Sequence, residues 1–302
     1  MDGKAARVAI VVVTYNRLAL LQDLVGSLRG QTWADRQIVV VNNGSTDGTA
    51  EWLAAQGDLA VVSQGNVGGA GGFFVGMKWA AEMGADYAWV MDDDVLCPPD
   101  ALTELMLAAE ARPDAGFVCS RVVGVGGGAM NVPSADTRPP ADGSYPDSYD
   151  LVVSRGMVKV RSATFVSILI PTAMMRRVGL PLRQFFIWCD DTEYTMRLSN
   201  AAPCFIACRS VVTHRRANQG RLTFFDERDP GRVANYRYLF RNRYVYKRRW
   251  EESGSALKTF LFDAKTVALL LLRLDFRHAA PIARGMLSAL WFHPRPEFPD
   301  AV

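Results

Sequence analysis

Asp92, Asp93 and Asp94 stand side by side at the end of the run Tyr87-Ala88-Trp89-Val90-Met91. That run is short, apolar and aromatic, which is the pattern of a buried strand. Adjacent carboxylates repel one another, and burial raises the cost of charging them. The trio therefore requires positive charge nearby. Hard divalent cations prefer oxygen ligands and commonly bridge carboxylates to phosphates. A metal–diphosphate complex is the chemistry these residues can support. The plainer alternative is a solvated turn, its acids favoured near the N-terminus of the next helix.

A second acidic group follows Trp188-Cys189: Asp190, Asp191 and, close behind, Glu193. One of the two aspartates can act as a general base, removing the proton of an incoming hydroxyl. Trp188 can present an aromatic face to a sugar. Alternatively, Asp190 or Asp191 caps a helix that starts near Thr192. His214 ends a strand-like run and precedes Arg215 and Arg216. It reads either as a structural histidine or as a metal ligand, and the two arginines suit a diphosphate. Four glycines fall within Gly68 to Gly72, after Asn66, where a backbone without Cβ atoms can approach a ligand closely. The spacing is not GxGxxG and follows the third strand rather than the first, so it argues against a dinucleotide fingerprint.

These groups need a frame. Val8 to Val13, Ile38 to Val41, Leu59 to Ser63, Tyr87 to Met91 and Gly116 to Cys119 read as strands. Between them lie helical patterns: one from Asn16 with Leu18, Leu21, Leu24, Val25 and Leu28 on one face, one around Ala50 to Ala55 capped by Thr46 or Asp47, one from about Phe73 to Met83, and one from Pro98-Pro99-Asp100 to about Ala111. The alternation predicts an α/β fold with a doubly wound, mainly parallel sheet. Ligands in such sheets bind beyond the carboxyl ends of the strands. The polar stretches 14–17, 42–47, 66–72 and 92–94 are expected to line one crevice there. Residues 123–150, rich in Gly, Pro, Asp and Ser, read as a long loop or lid. Strand-like runs follow at Gly156 to Arg161, Thr164 to Ile170, Cys204 to Cys208 and Val211 to Thr213, with helices near Met174 to Val178 and Thr192 to Asn200.

The chain of 302 residues has a net charge of +3, unevenly spread. Residues 221–302 hold 15 Lys and Arg against 9 Asp and Glu, whereas residues 1–220 hold 19 against 22. The basic stretch "RVANYRYLFRNRYVYKRRW", residues 232–250, and the Leu-rich segment from Ala256 to Trp291 point to an anionic membrane surface. The acids at the predicted crevice argue against nucleic acid. Five cysteines, an odd number with no CxxC pair, favour a reduced cytoplasmic setting over disulfides or zinc. No signal-peptide pattern and no transmembrane run is expected.

In order, "VVVTYNR", "VVNNGSTDGT", "NVGGAGGF", "MDDD" and "FFIWCDDTEYTMR" resemble the inverting family-2 glycosyltransferases of GT-A fold, over residues 7–216. The glycine run, the DD-x-E motif and "YRYLFRNRYVY" look most like bacterial galactofuranosyltransferases of cell-wall galactan synthesis; rhamnosyltransferases of polysaccharide assembly are also similar. The resemblance implies a catalytic domain over 1–220, with a nucleotide-sugar half over about 1–120 and an acceptor half over about 121–220. A helical basic extension over 221–302 would follow, placing the enzyme peripherally on the inner face of the plasma membrane. It implies a UDP- or dTDP-sugar donor and a glycan or polyprenyl-diphosphate-linked acceptor. Carried over, Thr14, Tyr15, Arg17, Asn43, Asn66, Gly68, Gly69, Asp92 and Asp93 contact the donor. Asp92, Asp94 and His214 hold Mn²⁺ or Mg²⁺, Asp191 is the catalytic base, and Trp188 and Asp190 meet the acceptor. Asn43 stands where many members carry an aspartate, and Val75 where many carry an arginine. A nucleotidyltransferase would use similar groups but release diphosphate, and a sugar-binding module would need no metal.

Overall fold

The apolar run near the start of the chain forms the central strand β1 (Val8–Thr14), and every one of its residues is buried. Burial on both faces is what a strand inside a parallel sheet requires. The computed structural model describes residues 5–139, 148–216 and 224–300. Along them follow α1 (Leu18–Arg29), β2 (Arg36–Asn42), α2 (Thr49–Ala54), β3 (Ala60–Ser63), α3 (Gly68–Glu82), β4 (Tyr87–Asp92), β5 (Val95–Leu96), α4 (Ala101–Ala111), β6 (Phe117–Gly124), β7 (Ser134–Ala135), α5 (Ser148–Arg155), β8 (Met157–Ser162), β9 (Ile168–Pro171), α6 (Thr172–Val178), α7 (Asp190–Ala201), β10 (Cys204–His214), α8 (Pro230–Trp250), α9 (Ser255–Leu272) and α10 (Phe276–Ala289).

The strands form one mixed sheet in the order β3-β2-β1-β4-β9-β6-β10-β8-β7. The first four are mutually parallel, while β9 runs antiparallel to both β4 and β6. Apolar clusters cover both faces. Leu21, Leu24, Val25 and Leu28 of α1 pack on one side, and Phe73, Phe74 and Met77 of α3 on the other. Each such side chain contributes about 1.5–3 kcal/mol when fully buried. Register matters most for function. Thr14 pairs with Asn42, and Val13 with Asp92, so the carboxyl ends of β2, β1 and β4 finish level.

Several sequence expectations change. Helix α3 starts at Gly68, not near Phe73, so the glycine run is its first turn. A Cβ on Gly72 would come within 2.5 Å of Val13, and one on Gly76 within 2.3 Å of Val11. The glycines let the helix lie directly on β1. The helix read from Asn16 begins at Leu18, because Asn16 is left-handed at φ 53°. Gly48, not Thr46 or Asp47, occupies the N-cap position of α2. The Asp47 carboxylate still accepts from the first amide of the helix, Thr49 N, at 3.3 Å, as well as from the Thr49 hydroxyl at 2.6 Å and the Leu18 amide at 3.0 Å. The two strands expected at 204–208 and 211–213 are one strand, β10, with a register shift between Ala207 and Val211. Residues 140–147 of the expected lid lie outside the described residues.

The three C-terminal helices form their own apolar cluster around Phe224, Tyr236, Phe240 and Ile282. Helix α8 also packs on α7: buried Glu193 pairs with Arg197 at 2.7 Å and with Arg249 at 3.3 Å, and Trp250 donates to it at 3.2 Å. Glu193 therefore ties two helices together and faces away from the acidic crevice.

Candidate active site

The level ends of β1 and β4 deliver Thr14 and the aspartate trio to one place. The Thr14 hydroxyl donates to Asp93 at 2.8 Å. Arg17, in the turn after β1, reaches Asp93 at 3.0 Å and Asp94 at 2.9 Å. Part of the positive charge required by the trio thus comes from the chain itself. Asp93 is fully engaged in this brace, so it supports the site from behind. Burial raises Asp93 above the usual carboxylate range, against the pull of Arg17 and Thr14. Asp92 opens on the cavity. Burial, then the charges of Asp94 and Asp93, push its carboxyl well above that range.

His214 arrives from β10. Its backbone pairs antiparallel with Val95, the residue after the trio, so the ring stands against Asp94. Nε2 lies 3.0 Å from Asp94 Oδ1, and Nδ1 lies 2.8 Å from the Asn131 side-chain oxygen. An amide oxygen accepts only, so Nδ1 carries the proton. In the neutral ring Nε2 then presents a lone pair to a carboxylate oxygen. That oxygen is buried and accepts no hydrogen bond among the described residues. Two facing lone pairs need a cation: a second proton on the ring or a metal ion. Burial pushes Asp94 up, but His214 and Arg17 outweigh it and hold the carboxyl below its usual range. Donor atoms of Asp92, Asp94 and His214 all lie within 4.8 Å of one another. The 3.0 Å separation of Nε2 and Oδ1 matches the edge between neighbouring ligands of an octahedron with bonds of about 2.1 Å. The residues present fit Mg²⁺ or Mn²⁺. Asn131, a left-handed residue in the loop read as a lid, supplies the outer hydrogen bond that orients such a histidine. Nothing in its local sequence marked it.

The second acidic group faces the same space. A cavity of about 680 Å³ is lined by Arg17, Gly69, Asp92, Asp94, Trp188, Asp190, Asp191 and His214, together with Asn131, Arg215, Arg216 and Arg232. Asp190 and Asp191 do not cap α7; they form its first turn, after Cys189 in the left-handed conformation. Burial, then the charge of Asp191, pushes Asp190 up to about 8. Burial also raises Asp191, against hydrogen bonds from Thr192. The Thr192 amide holds Asp191 Oδ1 at 2.6 Å. No donor bonds its Oδ2 among the described residues, so that oxygen is available to take a proton.

The loop before α7 is strained. Phe186, Trp188 and Cys189 have φ of 66°, 65° and 65°, a region costly for residues with a Cβ. Helix α8 holds them there. The fully buried Asn242 amide donates to the carbonyls of Phe185, Ile187 and Trp188 at 2.9, 3.1 and 2.9 Å. Tyr236 stacks on Trp188 with ring centres 4.5 Å apart. From below, the Ala70 amide donates to Phe186 O at 3.1 Å, and Gly68 fits so closely that a Cβ would stand 2.0 Å from that oxygen. The glycine run therefore seats the loop before α7 as well as the helix. Asn242, one amide in a basic aromatic helix, was not foreseeable from spacing. Asn242→Leu leaves buried carbonyls unpaired, at about 1–3 kcal/mol. It is also expected to lower kcat by about tenfold to a hundredfold, since small displacements of catalytic groups cost that much. The donor KM should stay near the wild-type value, and steady-state kinetics beside a melting curve checks both.

The remaining predicted donor residues lie outside the cavity wall. The Asn43 amide donates to Gly68 O at 3.0 Å, and its oxygen accepts from Gln64 at 3.1 Å and the Val67 amide at 3.3 Å. Asn66 accepts from the Gly68 amide at 2.9 Å. Both join the loops after β2 and β3. Tyr15 is about half exposed at the mouth of β1.

Known proteins resemble this chain in sequence and fold. Residues 9–157 match the model of glycosyl transferase family 2. The chain carries a family-2 glycosyltransferase domain. Galactofuranosyltransferase GlfT1 of Mycobacterium tuberculosis is 28% identical to this glycosyltransferase over 213 residues. The match spans 66% of this chain and 66% of that protein, about two thirds of each. GlfT1 of Mycolicibacterium smegmatis is 36% identical over 89 residues, 29% of this chain and 30% of the relative. Among solved structures, the mannosyltransferase PcManGT from Pyrobaculum calidifontis, in complex with GDP-Man and Mn²⁺, superposes with a TM-score of 0.55 at 16% identity. It covers 95% of this chain and 88% of that one, which establishes the GT-A fold.

Proposed function

We propose that this glycosyltransferase moves galactofuranose, with inversion, from a UDP-sugar to a glycan acceptor carried on a polyprenyl diphosphate in cell-envelope polysaccharide synthesis. The observation that carries the reading is one cavity holding both a cation-binding triad and a separate buried carboxylate pair. The galactofuranose assignment rests on the GlfT1 relatives.

The acceptor hydroxyl hands its proton to Asp191 Oδ2 and forms the new bond to the donor's anomeric carbon. The bond from that carbon to the diphosphate oxygen breaks, and the electron pair leaves with the nucleoside diphosphate. Proton transfer to a positioned base is worth about 10²–10⁴ in rate. Asp92, Asp94 and His214 would hold Mn²⁺ or Mg²⁺, which offsets the charge gathering on the departing diphosphate. Arg215 faces the same charge, with Nε and one terminal nitrogen buried and unpaired among the described residues. Trp188, fixed by Tyr236 and Asn242, gives the sugar a flat apolar wall. Asp190, pushed upward by burial and by Asp191, can in its protonated form donate a hydrogen bond to the acceptor.

A donor screen with Mn²⁺ tests this. UDP-galactofuranose should release UDP in the presence of a polyprenyl-diphosphate-linked glycan analogue and add one hexose to it by mass. Release of inorganic diphosphate from a nucleoside triphosphate, or no release from any sugar nucleotide, would sink the reading.

A further inference from the structure

Helix α9 is apolar on both sides. Its inward side packs Phe260, Val267 and Leu270 on the C-terminal cluster and carries Asp263, which is 2% exposed and is bonded by Arg243 and Tyr244 of α8. Leu270 is the other buried residue of the helix. The outward side carries Leu257, Leu261, Phe262, Leu269, Leu271 and Leu272, between 44% and 82% exposed. An ordinary surface helix keeps its apolar stripe inward, and so large an apolar face marks a contact surface. Lys258 and Lys265 on the helix and Arg273 just past its end are exposed, and α9 itself carries no acidic side chain other than the buried Asp263.

We infer that this face of α9 lies in the headgroup layer of an anionic lipid bilayer. Leucines and a phenylalanine interleaved with cations are what an interfacial helix needs: apolar groups enter the acyl boundary while long basic side chains reach back to the phosphates. The helix does not cross, because no described helix is long and apolar enough to do so. A second copy of the chain is a poor occupant. A two-fold contact would set the same lysines against each other, whereas anionic lipid complements them. The buried Asp263 anchor holds α9 to α8, and α8 holds the loop before α7 through Asn242. The bilayer contact is thus one helix removed from the acceptor side of the cavity. This assignment rests on the reading above for its purpose, but it is tested apart from it.

The test is co-sedimentation of the full chain with vesicles of phosphatidylcholine, with and without phosphatidylglycerol. The wild type should partition onto the mixed vesicles and only weakly onto phosphatidylcholine alone. The double variant Leu261→Glu with Phe262→Glu should bind mixed vesicles at least about tenfold less, with an unchanged melting temperature and unchanged UDP binding. Lys265→Glu, a milder variant, should lose the preference for phosphatidylglycerol. Equal sedimentation of the wild type and the double variant overturns the inference. So does a concentration-dependent dimer that the double variant abolishes, which would give the face to a second copy. Failure of the donor screen with intact vesicle binding would overturn the sugar assignment and leave this one standing.

Discussion

Asp191→Asn is expected to lower kcat by about a thousandfold while leaving UDP affinity within about twofold of the wild type. The amide keeps the shape of the carboxylate and its hydrogen bond from the Thr192 amide at 2.6 Å, so α7 should fold as before. What is lost is the oxygen proposed to take the hydroxyl proton. Single-turnover kinetics beside calorimetric UDP binding separates the two effects. The wild type should also show a distinct pH profile. Burial raises Asp191 above the ordinary carboxylate range. The base works only when ionised, so the acid limb of kcat/KM should lie at higher pH than a solvated aspartate would give. Activity should fall as pH is lowered from neutral. An Asp191→Asn variant with full turnover would move the base to another residue.

Asp94→Ala should act through a different quantity. It removes the oxygen that faces His214 Nε2 at 3.0 Å and the partner of Arg17 at 2.9 Å. Loss of Mn²⁺-dependent UDP binding is expected, with turnover down by about a thousandfold, since the cation's effect on the leaving group is worth several kcal/mol. Chelation of the wild type should reproduce that loss, and Mn²⁺ should then restore the wild type but not the variant. Asp93→Asn is the informative contrast. Asp93 braces Thr14 and Arg17 and does not line the cavity, so its variant should melt lower while retaining Mn²⁺-dependent UDP binding. If Asp93→Asn and Asp94→Ala behaved alike, the division between brace and ligand would be wrong.

The aspartate trio was legible because two local facts coincide. A short apolar run ends in acids, and alternating strands and helices force parallel strands whose carboxyl ends gather on one edge. Registered pairing of Thr14 with Asn42 and of Val13 with Asp92 then follows from matching hydrophobic lengths. Asp190 and Asp191 were legible as chemistry but not as geometry. Their placement in the first turn of α7 depends on three left-handed residues that no local preference favours.

The sequence alone therefore determined the α/β class, the edge of the sheet where chemistry gathers, and the acids that can bind a cation or take a proton. All of these are set by periodicity within about ten residues. The tertiary structure decided the rest. Asn131 and Asn242 meet their partners 83 and up to 57 positions away, and amides that act at such separations leave no periodic trace. Packing on β1 and on the loop before α7 requires Gly68, Gly72 and Gly76, while Gly69 lines the cavity. In α9 the alternation of apolar and charged residues marks two faces but cannot say which is inward. The packing of Phe260, Val267 and Leu270 on the C-terminal cluster, with the pairing of Asp263 to Arg243 and Tyr244 that compensates a buried charge, set which leucines face outward.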